Sequence, residues 1–190
     1  MATEAICKLE SVAPLSMSRH YTNPEKTAKE TAADYEKRTW RERLHYDEKG
    51  VVFIPPMPFK LSLAEAAAFL SQKIPGKRNA TYTKHFEAGI LVLQGIVLGI
   101  KKDDVQGEWL FVPSDGKRGG GSRVDKCFPV IPKWSGTVTY HVLDATITRE
   151  VFEQHLRESG NFIGIGRFRP RNNGYYGRFK VSSIEWKSDG

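Results

Sequence analysis

Between Gly164 and Phe179 the chain reads GIGRFRPRNNGYYGRF, and no regular element can absorb that stretch. Its four glycines and Pro170 would weaken a helix or a central strand, through backbone entropy at glycine and the missing N–H of proline. The segment therefore reads as a tight irregular ribbon. Regular structure flanks it. Thr148–Ser159 has the marks of a helix: Thr148 as N-cap, Ile147 and Phe152 as a hydrophobic staple, and Gly160 as the stop. Gly177–Trp186 has the composition of a strand, with Phe179 and Val181 on one parity.

The ribbon's side chains suit a polyanion. It holds four arginines and no acidic residue. Guanidinium groups match phosphates as rigid forks, and tyrosine rings offer stacking faces that any base can use. Arg167, Arg169, Arg171 and Arg178 are the candidate phosphate contacts, and Tyr175 and Tyr176 the candidate stacking rings. Backbone N–H groups of the ribbon would add to the phosphate cradle, although part of the glycine pattern can serve the fold itself. The charge of the whole chain agrees, at +7 with a pI near 9.4. Its distribution is more telling. Residues 1–48 carry eight basic and nine acidic side chains, whereas Lys73–Lys84 holds four basic residues and no acid. Gly116–Lys133 has five basic residues against Asp125. Positive charge concentrated in turn-rich segments is expected where loops meet a phosphate backbone. Lys77, Arg78, Lys117, Arg118 and Arg123 are therefore secondary contacts.

The remaining elements follow from periodicity. Ala5–Pro14 reads as a first strand. Asn23–Arg38 reads as a peripheral helix capped by Asn23 before Pro24. Trp40–Tyr46 and Val51–Ile54 form a hairpin around Asp47–Gly50. Ser62–Ile74 is a helix, with Ser62 and Glu65 as a capping box and Pro75-Gly76 as its stop. The apolar run in Glu87–Lys101 predicts one long buried strand. Glu108–Pro113, Lys126–Val130 and Thr137–Leu143 are further strands. Stripped of insertions, the order is strand, helix, strands, helix, ribbon, strand, which is the βαββαβ logic of an α+β, ferredoxin-like or RNA-recognition-motif-like core. The chain then forms one domain over residues 1–190, with a helix-hairpin insertion at about 22–54 and added basic loops.

Three features carry a resemblance to a known superfamily, the first being the opening strand KLESVAPLSM ahead of a proline-rich approach to a helix. The approach to the first core helix, IPPMPFKLSLAEAA, is similar to the "IP-small-small-hydrophobic-Lys" entry of the RAMP superfamily (repeat-associated mysterious proteins). FEQHLRESGNFIGIGRFRPRNNGYYGRF resembles that superfamily's C-terminal glycine-rich loop, and the backbone subunits of CRISPR effector complexes are the members most similar. The spacer from Gly166 to Gly174 holds seven residues, longer than the pattern, and Gly174-Tyr-Tyr-Gly177 replaces its G-x-G. The resemblance implies RNA as ligand, or single-stranded DNA, and a chain that self-associates along the strand or serves as a subunit of a nucleoprotein complex. A phage or prophage relative fits as well as a CRISPR subunit.

Other chemistries find less support. Cys7 and Cys127 lack zinc or disulfide spacing, no metal or cofactor motif is present, and Asp103-Asp104 reads as a turn. A non-catalytic binder is expected. Its rivals are a metal-independent endoribonuclease of RAMP type, with His45 or His85 as general base or acid, and an interaction module that occupies a subunit site. His155 reads as a surface residue and His141 as core. The apolar run Gly89–Ile100 is too short to span a bilayer and no signal peptide is visible, so a cytoplasmic chain is expected.

Overall fold

The computed structural model describes residues 3–114 and 121–188. Its central sheet is built from β1 (Thr3–Ser11), β4 (Ile90–Val92), β8 (Ser135–Val142) and β9 (Phe179–Ser188), in the order β4-β8-β1-β9. All its neighbours run antiparallel. The core helices are α2 (Pro56–Leu70), between β1 and β4, and α4 (Arg149–Glu158), between β8 and β9. That connectivity and strand order define the ferredoxin-like α+β core.

Alternation along the strands decides which face is buried. Ala5, Cys7 and Leu9 of β1 and Val138, Tyr140 and Val142 of β8 turn inward. They join a core that holds Phe59, Leu63 and Ala67 of α2 and Phe152 and Leu156 of α4. Each such large side chain contributes about 1.5–3 kcal/mol on burial. The opposite parity carries Glu4, Lys8, Glu10, Thr137, Thr139 and His141, with His141 Nδ1 3.3 Å from Glu4 Oε1. That mixed-charge set offers no aromatic platform for bases.

Two smaller sheets are inserted. β2 (Leu15–Ser16) pairs with β7 (Arg123–Ile131), which pairs with β6 (Gln106–Pro113). β3 (Val51–Ile54) pairs with β5 (Ile96–Lys101). A peripheral helix α1 (Ala32–Thr39) and a short helix α3 (Thr83–Ala88) complete the elements used below.

Four local expectations are corrected. α1 is shorter than Asn23–Arg38 and is capped by Thr31, whose side chain accepts from the Asp34 N–H. Asn23–Lys29 are exposed, so nothing there offsets the entropy of helix formation. Trp40–Arg43 forms a 3-10 turn rather than a strand, and the expected hairpin is reduced to the Tyr46–Val52 bridge with Asp47 N–H on Val51 O and Phe53 N–H on His45 O, each at 3.0 Å. α2 begins at Pro56, leaving Ser62 buried mid-helix and Glu65 free of any capping role. Glu87–Lys101 divides into the end of α3, β4 and β5. Gly95 marks that break, because a Cβ there would lie 1.8 Å from Ile54 O.

Candidate nucleic-acid interface

α4 widens into a π-helical turn at Ser159–Ile163, where the ribbon starts. Its backbone is fastened to the segment after β1. Ile165 N–H donates to Gly177 O (3.0 Å), Arg167 N–H to Ser16 O (2.8 Å), and Gly177 N–H to Pro14 O (2.8 Å). A tight turn follows, closed by Asn173 N–H on Pro170 O (2.9 Å) and Gly174 N–H on Arg169 O (3.0 Å). Glycine is required at two crossings: a Cβ at Gly174 would lie 1.8 Å from Phe168 O, and one at Gly177 1.8 Å from Ile165 O. These N–H groups donate within the protein, so the glycines build the crossing, and charge for a ligand comes from side chains.

The ribbon's arginines differ in setting. Arg167 is half-buried, its guanidinium carbon 3.4 Å from the centroid of Phe128. Nη1 of Arg167 meets no hydrogen-bond partner among the described residues. Burial pulls its pKa below the ordinary arginine value, yet arginine remains charged. Arg169 donates to Glu65 at 2.7 Å, while Arg171 is more exposed and stands 3.9 Å from the same carboxylate. Arg178 donates through Nε to Asn161 O at 3.3 Å. The tyrosines divide as well. Tyr175 is 61% exposed, with a face open to a base. Tyr176 is buried and donates its hydroxyl to Glu108. Burial and that bond push its pKa up to about 12. The expectation that Tyr176 stacks on a base is corrected: its ring covers the protein.

Three clefts share lining residues, and two of them run along the ribbon. The first, about 230 Å³, lies between the start of α2 and Ile165–Gly166, with Arg169 at its edge. Pro58 and Gly166 connect it to a middle cleft of about 190 Å³, lined also by Leu15, Met17, His45, Ile54 and Arg167. Ser18 connects the middle cleft to a third, about 400 Å³, lined by Arg19, His20, Tyr21, Arg43 and Lys126. Among the described residues no carboxylate lines any of the three. Acidic residues stand behind the cations instead. Glu36 holds Arg43 at 2.5 Å and Lys126 at 3.0 Å, and Glu42 lies 3.9 Å from Arg19. Arg167, at the middle, has no such ion pair among the described residues.

Sequence reasoning missed Arg19, Arg43 and Lys126. The run Ser18-Arg19-His20-Tyr21, basic and aromatic directly after β2, was the signal for one wall. The secondary contacts named from sequence do not gather here. Lys77 and Arg78 are exposed beyond the C-terminal end of α2, about 20 Å from its groove-lining N-terminus at 1.5 Å per residue. Arg123 starts β7, about 17 Å along the strand from Phe128 at 3.3 Å per residue. Lys117 and Arg118 lie outside the described residues.

The histidines separate too. His45 lines the middle cleft, tilted against Phe53 with centroids 5.9 Å apart. Burial, reinforced by Arg19, pulls its pKa down. His85 is elsewhere, its Nδ1 2.6 Å from Asp144 Oδ2. Contrary to expectation, His155 is fully buried, stacked on Phe86 at 4.5 Å. Among the described residues there is no group of three or more side chains able to hold a metal ion, and no helix long and apolar enough to cross a membrane.

With the fold and the groove in place, the chain is a ferredoxin-like α+β protein. Solved structures share that fold. A chain of the cryo-EM structure of the Type III-B Cmr-beta bound to cognate target RNA matches with a TM-score of 0.57 at 11% identity, over 97% of this chain and 60% of that one. This chain thus spans less than two thirds of that neighbour's length. Cmr6 from Pyrococcus furiosus (TM-score 0.47, 12% identity, 95% of this chain and 99% of that one) and a chain of a CRISPR RNA-guided surveillance complex (0.41, 10%, 97% and 68%) are similar at lower scores. No family model matches the chain, and no curated protein matches it in sequence.

Proposed function

We propose that the chain binds single-stranded nucleic acid, RNA in particular, along the ribbon groove, without catalysis and as a subunit of a nucleoprotein complex. The observation that carries this reading is the groove: neighbouring clefts lined by Arg169, Arg167, Arg19, Arg43 and Lys126 and, among the described residues, by no carboxylate. Such a track fits a phosphate backbone, whose charge dominates affinity for any protein of this kind. Tyr175, exposed beside it, adds a sequence-tolerant stacking face. The fold neighbour bound to cognate target RNA supports RNA over DNA.

Fluorescence anisotropy of a labelled single-stranded RNA across a salt series tests the proposal. Affinity should fall steeply with salt, by a slope of about 0.7 per phosphate contacted. Arg167→Ala combined with Arg171→Ala should weaken binding and reduce that slope. Binding that ignores salt, or a double variant that binds as well as the parent, refutes the groove. One observation favours the endoribonuclease as the second reading: His45, held neutral by its surroundings, lines the groove beside Arg167 and has the protonation state of a general base. RNA that shortens with the parent chain and stays intact with His45→Ala would establish that reading and displace the first.

A further inference from the structure

The small sheet β2-β7-β6 ends differently on its two sides. On one, the short β2 leaves part of β7 unpaired, and side chains close it: Cys127 N–H donates to Glu36 at 2.8 Å, and Cys127 O accepts from Arg43 at 2.8 Å. On the other stands β6, an eight-residue strand paired with β7 alone. The direction of its main-chain groups follows from the turn. Ser114 N–H donates to Ser122 O at 2.9 Å, so by alternation Val112, Leu110 and Glu108 turn their N–H and C=O toward β7. Trp109 and Phe111 turn theirs outward. Among the described residues the one bond on that side is a long one, Arg123 Nη1 to Phe111 O at 3.5 Å. The same two residues carry exposed rings, Trp109 at 46% and Phe111 at 61%. An open edge that bears exposed aromatic side chains is a template for another strand.

We infer that β6 pairs with β6 of a second copy of this chain, antiparallel about a two-fold axis at Leu110. The inference stands apart from strand binding. In this register the strand is complementary to itself. Trp109 lies opposite Phe111 of the second copy, and their outward N–H and C=O groups exchange main-chain bonds. Directly opposed residues share a face of the sheet, so the aromatic rings of both copies gather on one side. Leu110 meets its counterpart on the other side, and Glu108 meets Val112, so no like charges are opposed. Pro113, with no N–H to offer, ends the ladder beside Gly107. A one-residue slip would set outward groups against inward ones, and the next registers oppose a ring to Gly107 or Pro113 instead. The buried area fits a weak dimer. Such rings cover about 150–250 Å² when fully buried, so each still offers roughly 100 Å². Two copies then hide on the order of 400–500 Å² through the rings alone, and the flanking chain adds to it within the range of transient interfaces, below about 1,200 Å².

Sedimentation velocity of the full chain without RNA, from micromolar to submillimolar concentration, should show a monomer–dimer equilibrium. Phe111→Lys removes both aromatic pairs and should raise the dissociation constant on the order of tenfold. A cysteine tests the register. Leu110 and its counterpart form a non-hydrogen-bonded pair, with Cα atoms about 4.5 Å apart, inside the roughly 4.4–6.8 Å that a disulfide spans. The native Cys7 and Cys127 are buried, so Leu110→Cys under mild oxidation should give a linked dimer on a non-reducing gel, and Val112→Cys should not. If circular dichroism shows Leu110→Cys to be unfolded, a double Trp109→Cys, Phe111→Cys variant takes its place, since each new cysteine then faces the other across the two copies. A chain that stays monomeric throughout the series overturns the inference, whatever else binds the edge. So does a dimer that Phe111→Lys leaves unchanged, or a cysteine at 112 that links as fast as one at 110. Each of these results leaves the RNA groove standing.

Discussion

Replacing Glu36 by glutamine should destabilise this protein far more than a peripheral helix would suggest. The carboxylate is 1% exposed. It accepts from Arg43 Nη1 at 2.5 Å and Nη2 at 3.1 Å, from Lys126 at 3.0 Å, and from the Cys127 N–H at 2.8 Å. α1 is thereby tied to β7. A glutamine keeps the shape and one acceptor oxygen, but it leaves the Arg43 guanidinium, only 9% exposed, without a counter-charge. Breaking a buried pair on one side costs about 3–5 kcal/mol. Lys126 adds little, being part-exposed and screened. At this chain length about 1 kcal/mol moves Tm by roughly 2–4 °C, so Glu36→Gln should melt about 6–20 °C lower.

The same carboxylate should shape the acid limb of stability. Burial pushes its pKa up, but the bonds from Arg43, the Cys127 N–H and Lys126 outweigh burial and hold it below the ordinary 4.5. A folded pKa below the unfolded one gives stability that is present above the unfolded value and lost as pH falls through the folded one. Melts followed by circular dichroism from neutral pH into the acid range should show a flatter decline for Glu36→Gln than for the parent. Methionine at both Glu36 and Arg43 should recover most of the loss, because a packed apolar pair needs no counter-charge. A Glu36→Gln melt within 2 °C of the parent, an effect below about 1 kcal/mol, would refute this account of the tie.

Burial holds the His155 pKa below 6.5, its bond to Val151 O only partly opposing, so its stabilisation should be complete above that value and lost as pH falls below it; His155→Phe should flatten the fall in Tm between neutral and mildly acidic pH. Gly177 has φ +78 and no room for a Cβ, so Gly177→Ala should lower the unfolding free energy from urea titration by at least the ~1–2 kcal/mol of a left-handed non-glycine residue. Glu65→Gln frees Arg169 and Arg171; it should tighten RNA binding while changing stability by less than about 1 kcal/mol, since the pair is partly exposed. Weaker RNA binding by that variant would assign Arg169 a fastening role only.

What the sequence disclosed, and what it hid, follows the range of the physics. α4 was legible to its cap, because Thr148 accepting from the Val151 N–H is a local interaction. β1, β6, β7, β8 and β9 were legible from alternation. Trp40 and Leu44 were misread because a spacing of four satisfies both the strand and the helix period. Pro55, Pro56 and Pro58 stand directly after the strand read at Val51–Ile54 and before the helix read at Ser62–Ile74. They also open α2, since a helix's first turn has no use for their missing N–H groups. The long strand expected at Glu87–Lys101 failed at Gly95, whose contact with Ile54 O joins segments far apart in sequence.

The candidate site obeys the same rule with a sharper consequence. Charge clustering along the chain picked out the ribbon, where Arg167 is half-buried against Phe128 and Arg171 is exposed. It also picked out loops that the topology sends to the far ends of α2 and β7. Two of the cations that do line the groove, Arg19 and Arg43, come from a quarter of the chain where basic and acidic residues are interspersed, so no charge run could reveal them; Lys126 lies within the basic segment Gly116–Lys133, directly after its one acid, Asp125. Folding separates those signs: Glu36 and Glu42 stand behind the arginines as supports, and the guanidinium groups border the clefts. A basic groove can thus draw Arg19 and Arg43 from a nearly neutral N-terminal quarter, and Arg167 differs from the other ribbon arginines in meeting, among the described residues, neither a carboxylate nor a main-chain acceptor at its guanidinium.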